Sequence, residues 1–360
     1  MGTSKAGKAK AGADDGFEIG GQHVRPGEAR VIELPVAHLY TNTPVTLPVR
    51  VLRGREPGPT IFVSAALHGD EIIGVEIIRR LLLQRALKHL RGTLLAVPVV
   101  NTLAFLHQSR YLPDRRDLNR SFPGSDKGSL AARLAHRFLT EIVGRAQYGV
   151  DLHTGAIHRP NLPHIRGDLD NPETLRLAQA FGVPLLLNSP PTAGTLREYT
   201  TEHGIPVLLY EAGEALRFDE LAIRTGVRGL LNVLRALDML PADGRPDRMP
   251  EPVVARSGSW VRAPASGVLR AQVALGEQVR KGQLLGVIGD PLGNSEVEVL
   301  ANAHGVVVGK AVLPLAYEGD ALFHLARFDA PETAAGVARN IRSARRVIKR
   351  GRRGQQPRLV

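Results

Sequence analysis

The chain lacks cysteine, is poor in aromatic residues, and contains no apolar run long enough to cross a bilayer. Without cysteine there are no disulfides, no thiolate metal ligands and no cysteine nucleophile, which fits a cytoplasmic protein. Phe, Trp and Tyr together make up 4% of the residues, too few for the stacking platforms on which base or sugar recognition rests. A membrane-spanning helix needs roughly 20 consecutive apolar residues, and none occurs, so no membrane partner is expected. The first 20 residues are small, polar and dotted with lysine, with no apolar stretch of the kind a secretory signal carries. Ala6 stands where an N-myristoylation signal needs Ser or Thr.

Acidic residues are outnumbered, and the net charge is +12. Eight of those charges fall between 339 and 353: Arg339, Arg342, Arg345, Arg346, Lys349, Arg350, Arg352 and Arg353, with no acid among them. Taking these eight from +12 leaves +4 for the rest of the chain, which is unremarkable. The basicity belongs to a tail. Nucleic acid is therefore not an expected partner of the fold, and only the tail offers a basic stretch for RNA, DNA or an anionic surface. A solvated or disordered extension is its simpler reading.

What the chain does have is patterned order. Its 360 residues exceed the usual size of one core, and its 43% apolar and 23% charged content is ordinary for a soluble globular protein. Residues 1–20 read as a flexible extension. Loose alternation from Ala29 to Leu52, around the turn Thr41-Asn42-Thr43-Pro44, predicts two strands. Strands are then expected at Thr60–Leu67, Thr93–Val100, Gly149–Leu152, Val183–Leu187 and Ile205–Tyr210. Helical spacing covers Ile72–Leu90, Leu130–Val143, Pro172–Phe181, Leu196–Glu202 and Leu216–Leu240. This alternation predicts an α/β domain over 21–240, with a mixed, largely parallel central sheet flanked by helices.

Residues 241–254 are rich in Pro and turn formers and read as a linker. Beyond them, over 255–328, helix periodicity gives way to short strands and glycines, a small all-β domain. Val261-Arg262-Ala263-Pro264-Ala265-Ser266-Gly267-Val268 is echoed by Val299-Leu300-Ala301-Asn302-Ala303-His304-Gly305-Val306. The arrangement resembles the lipoyl/biotinyl-carrier barrel, but the hairpin between the halves, Asp290-Pro291-Leu292-Gly293-Asn294-Ser295, has no carrier lysine. A swinging-arm role is not expected on that ground; a structural or substrate-gating β-module is. Residues 329–360 form the basic tail, expected to be disordered.

The chemistry gathers at predicted strand ends, where α/β sheets bind ligands. His68-Gly69-Asp70-Glu71 follows the apolar strand ending at Leu67. One helical turn would bring His68 and Glu71 to one face, because residues i and i+3 are neighbours there, and Gly69 allows the tight backbone this needs. Asp70 points elsewhere on such a turn. His153, in Val150-Asp151-Leu152-His153-Thr154-Gly155, would complete a His/Glu/His centre with one position open for water, and Asp151 is placed to orient it. His158 and His164 compete for that place, but both lie in a Pro-rich stretch where an exposed loop is expected. The loop from Arg110 to Gly124 holds Arg110, Arg115, Arg116, Asn119 and Arg120, a clamp for a carboxylate or merely a solvated arginine loop. Glu211, delivered by the strand before it, is a candidate proton carrier. Glu214 is its rival, with a surface charge or helix start as the simpler account.

Taken together, residues from about 58 to 240 resemble the succinylglutamate desuccinylase/aspartoacylase family, a branch of the zinc carboxypeptidase-like fold. The resemblance rests on His68-Gly69-Asp70-Glu71, Asp117-Leu118-Asn119-Arg120, Asp151-Leu152-His153-Thr154-Gly155 and Glu211-Ala212-Gly213, in the family's order. It implies one Zn2+ per chain on His68, Glu71 and His153, with Glu211 as general base and acid. Asn119 and Arg120 would hold the substrate carboxylate, and Arg110 would polarise the scissile carbonyl, with Arg115 and Arg116 as alternatives. It also implies a small C-terminal β-domain, a small N-acyl amino acid as partner, and is compatible with a homo-oligomer. The expected activity is removal of an N-acyl group from an amino acid or similar small carboxylate. A zinc carboxypeptidase acting on a peptide C-terminus, and a non-catalytic binding protein using the β-domain and tail, are the rival readings.

Overall fold

A computed structural model describes residues 16–242 and 251–328, together with 336, 339, 340 and 343. In chain order the strands and helices of the first part are β1 (Phe17–Ile19), β2 (Gln22–Val24), β3 (Ala29–His38), β4 (Pro44–Arg53), β5 (Glu56–Ala65), α1 (Ile73–Leu82), β6 (Arg91–Val97), α2 (Thr102–Leu106), α3 (Leu130–Glu141), β7 (Tyr148–Gly155) and β8 (Asn161–Gly167). They continue with α4 (Pro172–Phe181), β9 (Leu185–Asn188), α5 (Leu196–Glu202), β10 (Val207–Glu214) and α6 (Glu220–Ala236). The second part is all strand: β11 (Val253–Ala255), β12 (Ser257–Arg262), β13 (Gly267–Ala271), β14 (Gln278–Val279), β15 (Leu284–Gly289), β16 (Glu296–Leu300), β17 (Gly305–Lys310), β18 (Leu315–Ala316) and β19 (Ala321–Arg327).

The middle of the main sheet, β10-β7-β5-β6, is parallel. The hairpin β3-β4 extends it antiparallel on one side, and β8 lies antiparallel to β10 on the other. This is the mixed, largely parallel sheet expected. Its strands are buried on both faces because successive residues serve different layers. Ile61, Val63 and Ala65 of β5 pack with α1, α4 and α6, whereas Phe62 packs with Phe138 of α3 and with the β1-β2 hairpin. Ser64, Asp151, His153 and Glu211 share the face of Phe62 and lie toward the carboxyl ends of their strands.

Several boundaries differ from expectation. Phe17–Ile19 falls within the stretch read as an extension but pairs with β2, and Ile19 is fully buried in the core with Ile32 and Leu34. The helical pattern from Ile72 to Leu90 splits into α1 and a 3-10 turn at Arg85–His89. The strand β8 and the five-residue helix α2 had no counterpart in the pattern. β8 is disguised by Pro163, which sits where the register against β10 shifts, so its missing N–H costs no ladder bond.

The C-terminal strands do not stand apart. β11, whose Val253 and Val254 fall inside the stretch read as a linker, pairs in parallel with β9 and buries Ala255 against Leu185 and Leu187. β17 pairs with β8 at Gly309 and Asn161, so β17, β19 and β12 prolong the main sheet. A four-stranded antiparallel sheet, β16-β15-β13-β18, completes the module around Val279, Leu285, Phe323 and Leu325. The two copies of the sequence repeat occupy matching places, each running from one strand through a turn into the next, β12 to β13 and β16 to β17. The remaining linker residues, 243–250, and nearly all of the basic tail lie outside the described residues. Among the described residues no helix is long and apolar enough to cross a membrane.

Two histidines mark the seam between the modules. Burial, with the Arg166 charge nearby, lowers His164 of β8 to about 3 and His324 of β19 to about 4. Below about 6.5 the unfolded chain binds protons at these sites that the folded chain refuses. Their contribution to stability is therefore full above that pH and is lost as the pH falls toward 4. The urea midpoint should drop between pH 7 and 4.5, and His164→Leu and His324→Leu should each flatten that slope. Unaltered slopes in both variants would refute the assignment.

Candidate active site

The strand β5 ends at Ala65, and the chain turns through His68-Gly69-Asp70-Glu71 before α1 begins at Ile73. The closeness of His68 and Glu71 thus comes from a turn, in which the Glu71 N–H donates to the His68 carbonyl at 3.1 Å, and not from the helix itself. Asn101 anchors the approach. Its N–H donates to Ala66 O, its side-chain amide to Leu67 O at 3.2 Å, and its Oδ1 caps α2 by accepting from Ala104 N. Gly69 is needed for close approach: a Cβ there would lie 2.0 Å from the Ala104 carbonyl carbon.

His68, Glu71 and His153 converge, with one ligating atom from each lying within 4.8 Å of the others. Glu71 Oε1 is 2.7 Å from His68 Nδ1, and Glu71 Oε2 is 2.8 Å from His153 Nδ1. Each imidazole places its far nitrogen on a second carboxylate. His153 Nε2 is 2.7 Å from Asp151 Oδ2, and His68 Nε2 is 3.1 Å from Asp117 Oδ1. Asp151 is itself held by the Ser64 hydroxyl at 2.7 Å. Two imidazoles with their outer nitrogens on carboxylates, plus one inward carboxylate, are the donor set of a zinc site with an open position. The residues fit that metal.

The electrostatics follow from burial and pairing. Burial alone would push the Glu71 carboxyl up, but the two imidazoles hold it well below the usual carboxylate range. Burial likewise opposes charge on the histidines. It is outweighed at His68 by Glu71 and Asp117 and at His153 by Asp151 and Glu71, so both are raised. Glu211 is the contrast. Burial raises its pKa, against the lowering influence of Arg166 and His153.

Glu211 is the register partner of His153 on β7 and of His164 on β8. Its Oε2 accepts from Asn161 Nδ2 at 2.9 Å, and Arg166 Nη1 lies 3.6 Å from Oε1. Arg110 reaches this cluster, with Nη1 3.4 Å from Glu71 Oε1, while its Nε and Nη2 grip Asp117 Oδ2 at 3.1 and 2.9 Å. Asn119 uses its Oδ1 to accept from Leu196 N at 3.1 Å, pinning the 3-10 turn Leu118–Arg120 to the start of α5 and leaving only its amide N–H groups to donate.

Residues 57–237 match the model of the succinylglutamate desuccinylase/aspartoacylase catalytic domain. The chain belongs to that family. An N-alpha-acetyl-L-2,4-diaminobutyric acid deacetylase of Halomonas elongata is 28% identical over 283 residues, covering 74% of this chain and 81% of that protein. Among solved structures, a succinylglutamate desuccinylase/aspartoacylase from Rhodobacter sphaeroides is similar with a TM-score of 0.74 and 27% identity, over 84% of this chain and 96% of that one. The product-bound ectoine utilization protein EutE (DoeB) of Ruegeria pomeroyi is similar with a TM-score of 0.76 and 25% identity, over the same shares.

Within this family fold the three expected metal ligands come together, with Glu211 on the adjacent strand and Arg110 beside them. Arg120 is exposed and donates to the Asn119 carbonyl at 2.6 Å, and Arg115 and Arg116 are exposed on the loop. His158 is exposed as expected, but His164 is buried, because the segment read as a loop is the strand β8. Glu214 ends β10 and ties down two loops, accepting from His158 N at 3.0 Å and pairing with Arg217 at 3.3 Å. The structure also adds Asp117, Asn101, Asn161 and Arg166 to the surroundings of the site. Of these only Asp117 stood in a quoted motif, and its partner His68 is 49 positions away.

Because Ala104 backbone leaves no room beside Gly69, Gly69→Ala must displace either α2 or the turn that carries His68 and Glu71. Zinc content of the purified variant should fall well below one per chain, with a lower melting temperature. Full zinc content with unchanged melting would contradict this account of the turn.

Proposed function

We propose that the protein is a zinc-dependent amidohydrolase that removes an N-acyl group from an amino acid or similar small carboxylate. The observation that carries this reading is the convergence of His68, Glu71 and His153 beside a buried carboxylate, Glu211, on the neighbouring strand. The deacetylase and desuccinylase names of the relatives support the deacylase over the peptidase reading.

The two imidazoles and Glu71 would hold the zinc, which when bound would supply a Lewis acid able to acidify water and polarise a carbonyl. Glu211 takes the proton from the attacking water and later gives it to the departing amine nitrogen. Its burial suits both steps, since a raised pKa lets the carboxyl keep the proton between them. Arg110, oriented by Asp117, donates to the carbonyl oxygen as negative charge develops there. The Asn119 amide and the Arg120 guanidinium, at the loop beside α5, take the substrate carboxylate.

The test uses zinc-loaded protein on a panel of N-acetyl-, N-succinyl- and longer N-acyl amino acids, N-acetyl-L-2,4-diaminobutyrate included, beside short peptides. Cleavage of an N-acyl amino acid is expected, with peptides cut poorly. Glu211→Gln should abolish turnover while zinc stays near one per chain. An active Glu211→Gln enzyme, or a preference for peptides, would overturn the reading.

A further inference from the structure

Glu211 is held by few polar contacts for a group that must aim at a reacting atom. Among the described residues its side chain receives one hydrogen bond, from Asn161 Nδ2 at 2.9 Å, while Arg166 stands off at 3.6 Å. Asn161 therefore decides which way the carboxylate faces. A side-chain amide is suited to that task, because it donates to a carboxylate without adding a charge.

Asn161 is in turn held by the C-terminal β-module. It opens β8 and pairs at once with Gly213 of β10 and with Gly309 of β17. Gly309 has no side chain, and a Cβ there would lie 2.7 Å from Asn161 Oδ1 and 3.3 Å from the His324 Cβ. The residues leading into Asn161 are stitched to the same module. Val312 N donates to His158 O at 2.9 Å and Lys310 N to Pro160 O at 3.4 Å. The Arg159 guanidinium sits 5.8 Å over the ring of Trp260, which stacks on His324.

We infer that Asn161 is the positioning residue for Glu211, and that the C-terminal β-module, through Gly309 of β17, fixes Asn161 and so aims the proton carrier. This rests on the reading of Glu211 as the general base and acid. The second module then has a part in catalysis although it lends no group to the reaction.

The full-length, zinc-loaded enzyme is assayed on the N-acyl amino acid of the panel that the unaltered protein cleaves fastest. Asn161→Leu should lower kcat by about a hundredfold, the scale of a misplacement near 1 Å, with KM within about twofold and zinc content unchanged. Asn161→Asp keeps the shape, replaces the donor by a like charge, and should lower kcat at least as far; it carries the same test if the leucine variant does not fold. Gly309→Ala, which alters no group assigned to the reaction, should lower kcat without raising KM, and its crystal structure should show the Asn161–Glu211 hydrogen bond broken. In an Asn161→Ala background, where the 2.7 Å clash with Asn161 Oδ1 is gone, Gly309→Ala should change kcat by less than about twofold.

Full kcat in the Asn161 and Gly309 variants, with Glu211→Gln inactive, overturns this inference and leaves the general-base reading standing. An undiminished effect of Gly309→Ala in the Asn161→Ala background also overturns it, since the glycine would then act by another route. Turnover by Glu211→Gln brings down the general-base reading itself.

Discussion

The carboxylate of Glu71 is the group on which the site depends. Almost fully buried, it would be costly to keep ionised without partners, by several kcal/mol even after the protein relaxes. Its two oxygens are shared out. Oε1 faces His68 Nδ1 and Arg110, and Oε2 faces His153 Nδ1 and the Thr154 N–H at 3.0 Å. Those four partners come from three separate segments, so satisfying one buried charge requires the end of β5, the loop before Asp117 and the end of β7 to be in place together. The same demand propagates outward to Asp117, Asp151 and Ser64, which hold the partners themselves.

The parallel sheet makes that demand easy to meet. β5, β7 and β10 run side by side and finish together, so residues after each of them arrive within reach of one another without long connecting loops. Side-chain alternation then decides which of the arriving residues face inward. Ser64, Asp151, His153 and Glu211 all occupy one face, while Val63, Leu152 and Tyr210 turn to the layer of α1, α4 and α6. A one-residue slip of any of these strands would exchange a polar residue of the site for a core residue.

What could be read from the sequence divides along the same physical line. His68, Glu71, His153 and Glu211 follow apolar runs, and strand ends announce themselves locally, so these residues were legible. Pro172–Phe181 and Leu196–Glu202 appear with the expected bounds because their caps, Asn171 and Thr195, are also local signals. Asn161 was not legible, since its partner Glu211 lies 50 positions on and its strand carries Pro163. Gly69 was read as allowing a tight backbone turn; its φ lies outside the left-handed region, and its lack of a side chain serves the close packing of α2. The burial of His164 escaped for the reason β8 did, because two prolines close together resemble a loop when the neighbouring strands are not in view.

The position of β17 bears on which substrate can reach His68, Glu71 and His153. An extended peptide commonly binds a sheet by adding itself to an open edge. Near Asn161 the edge of β8 is already taken, by the pairing with Gly309 and by the bond from Lys310 N to Pro160 O. A peptide chain leaving the site in that direction would have to displace a strand whose Val306, Val307 and Val308 are fully buried. A small N-acyl amino acid has no chain to lead out. The closed edge of β8 therefore favours a small substrate over an extended peptide, and it does so through backbone pairing alone.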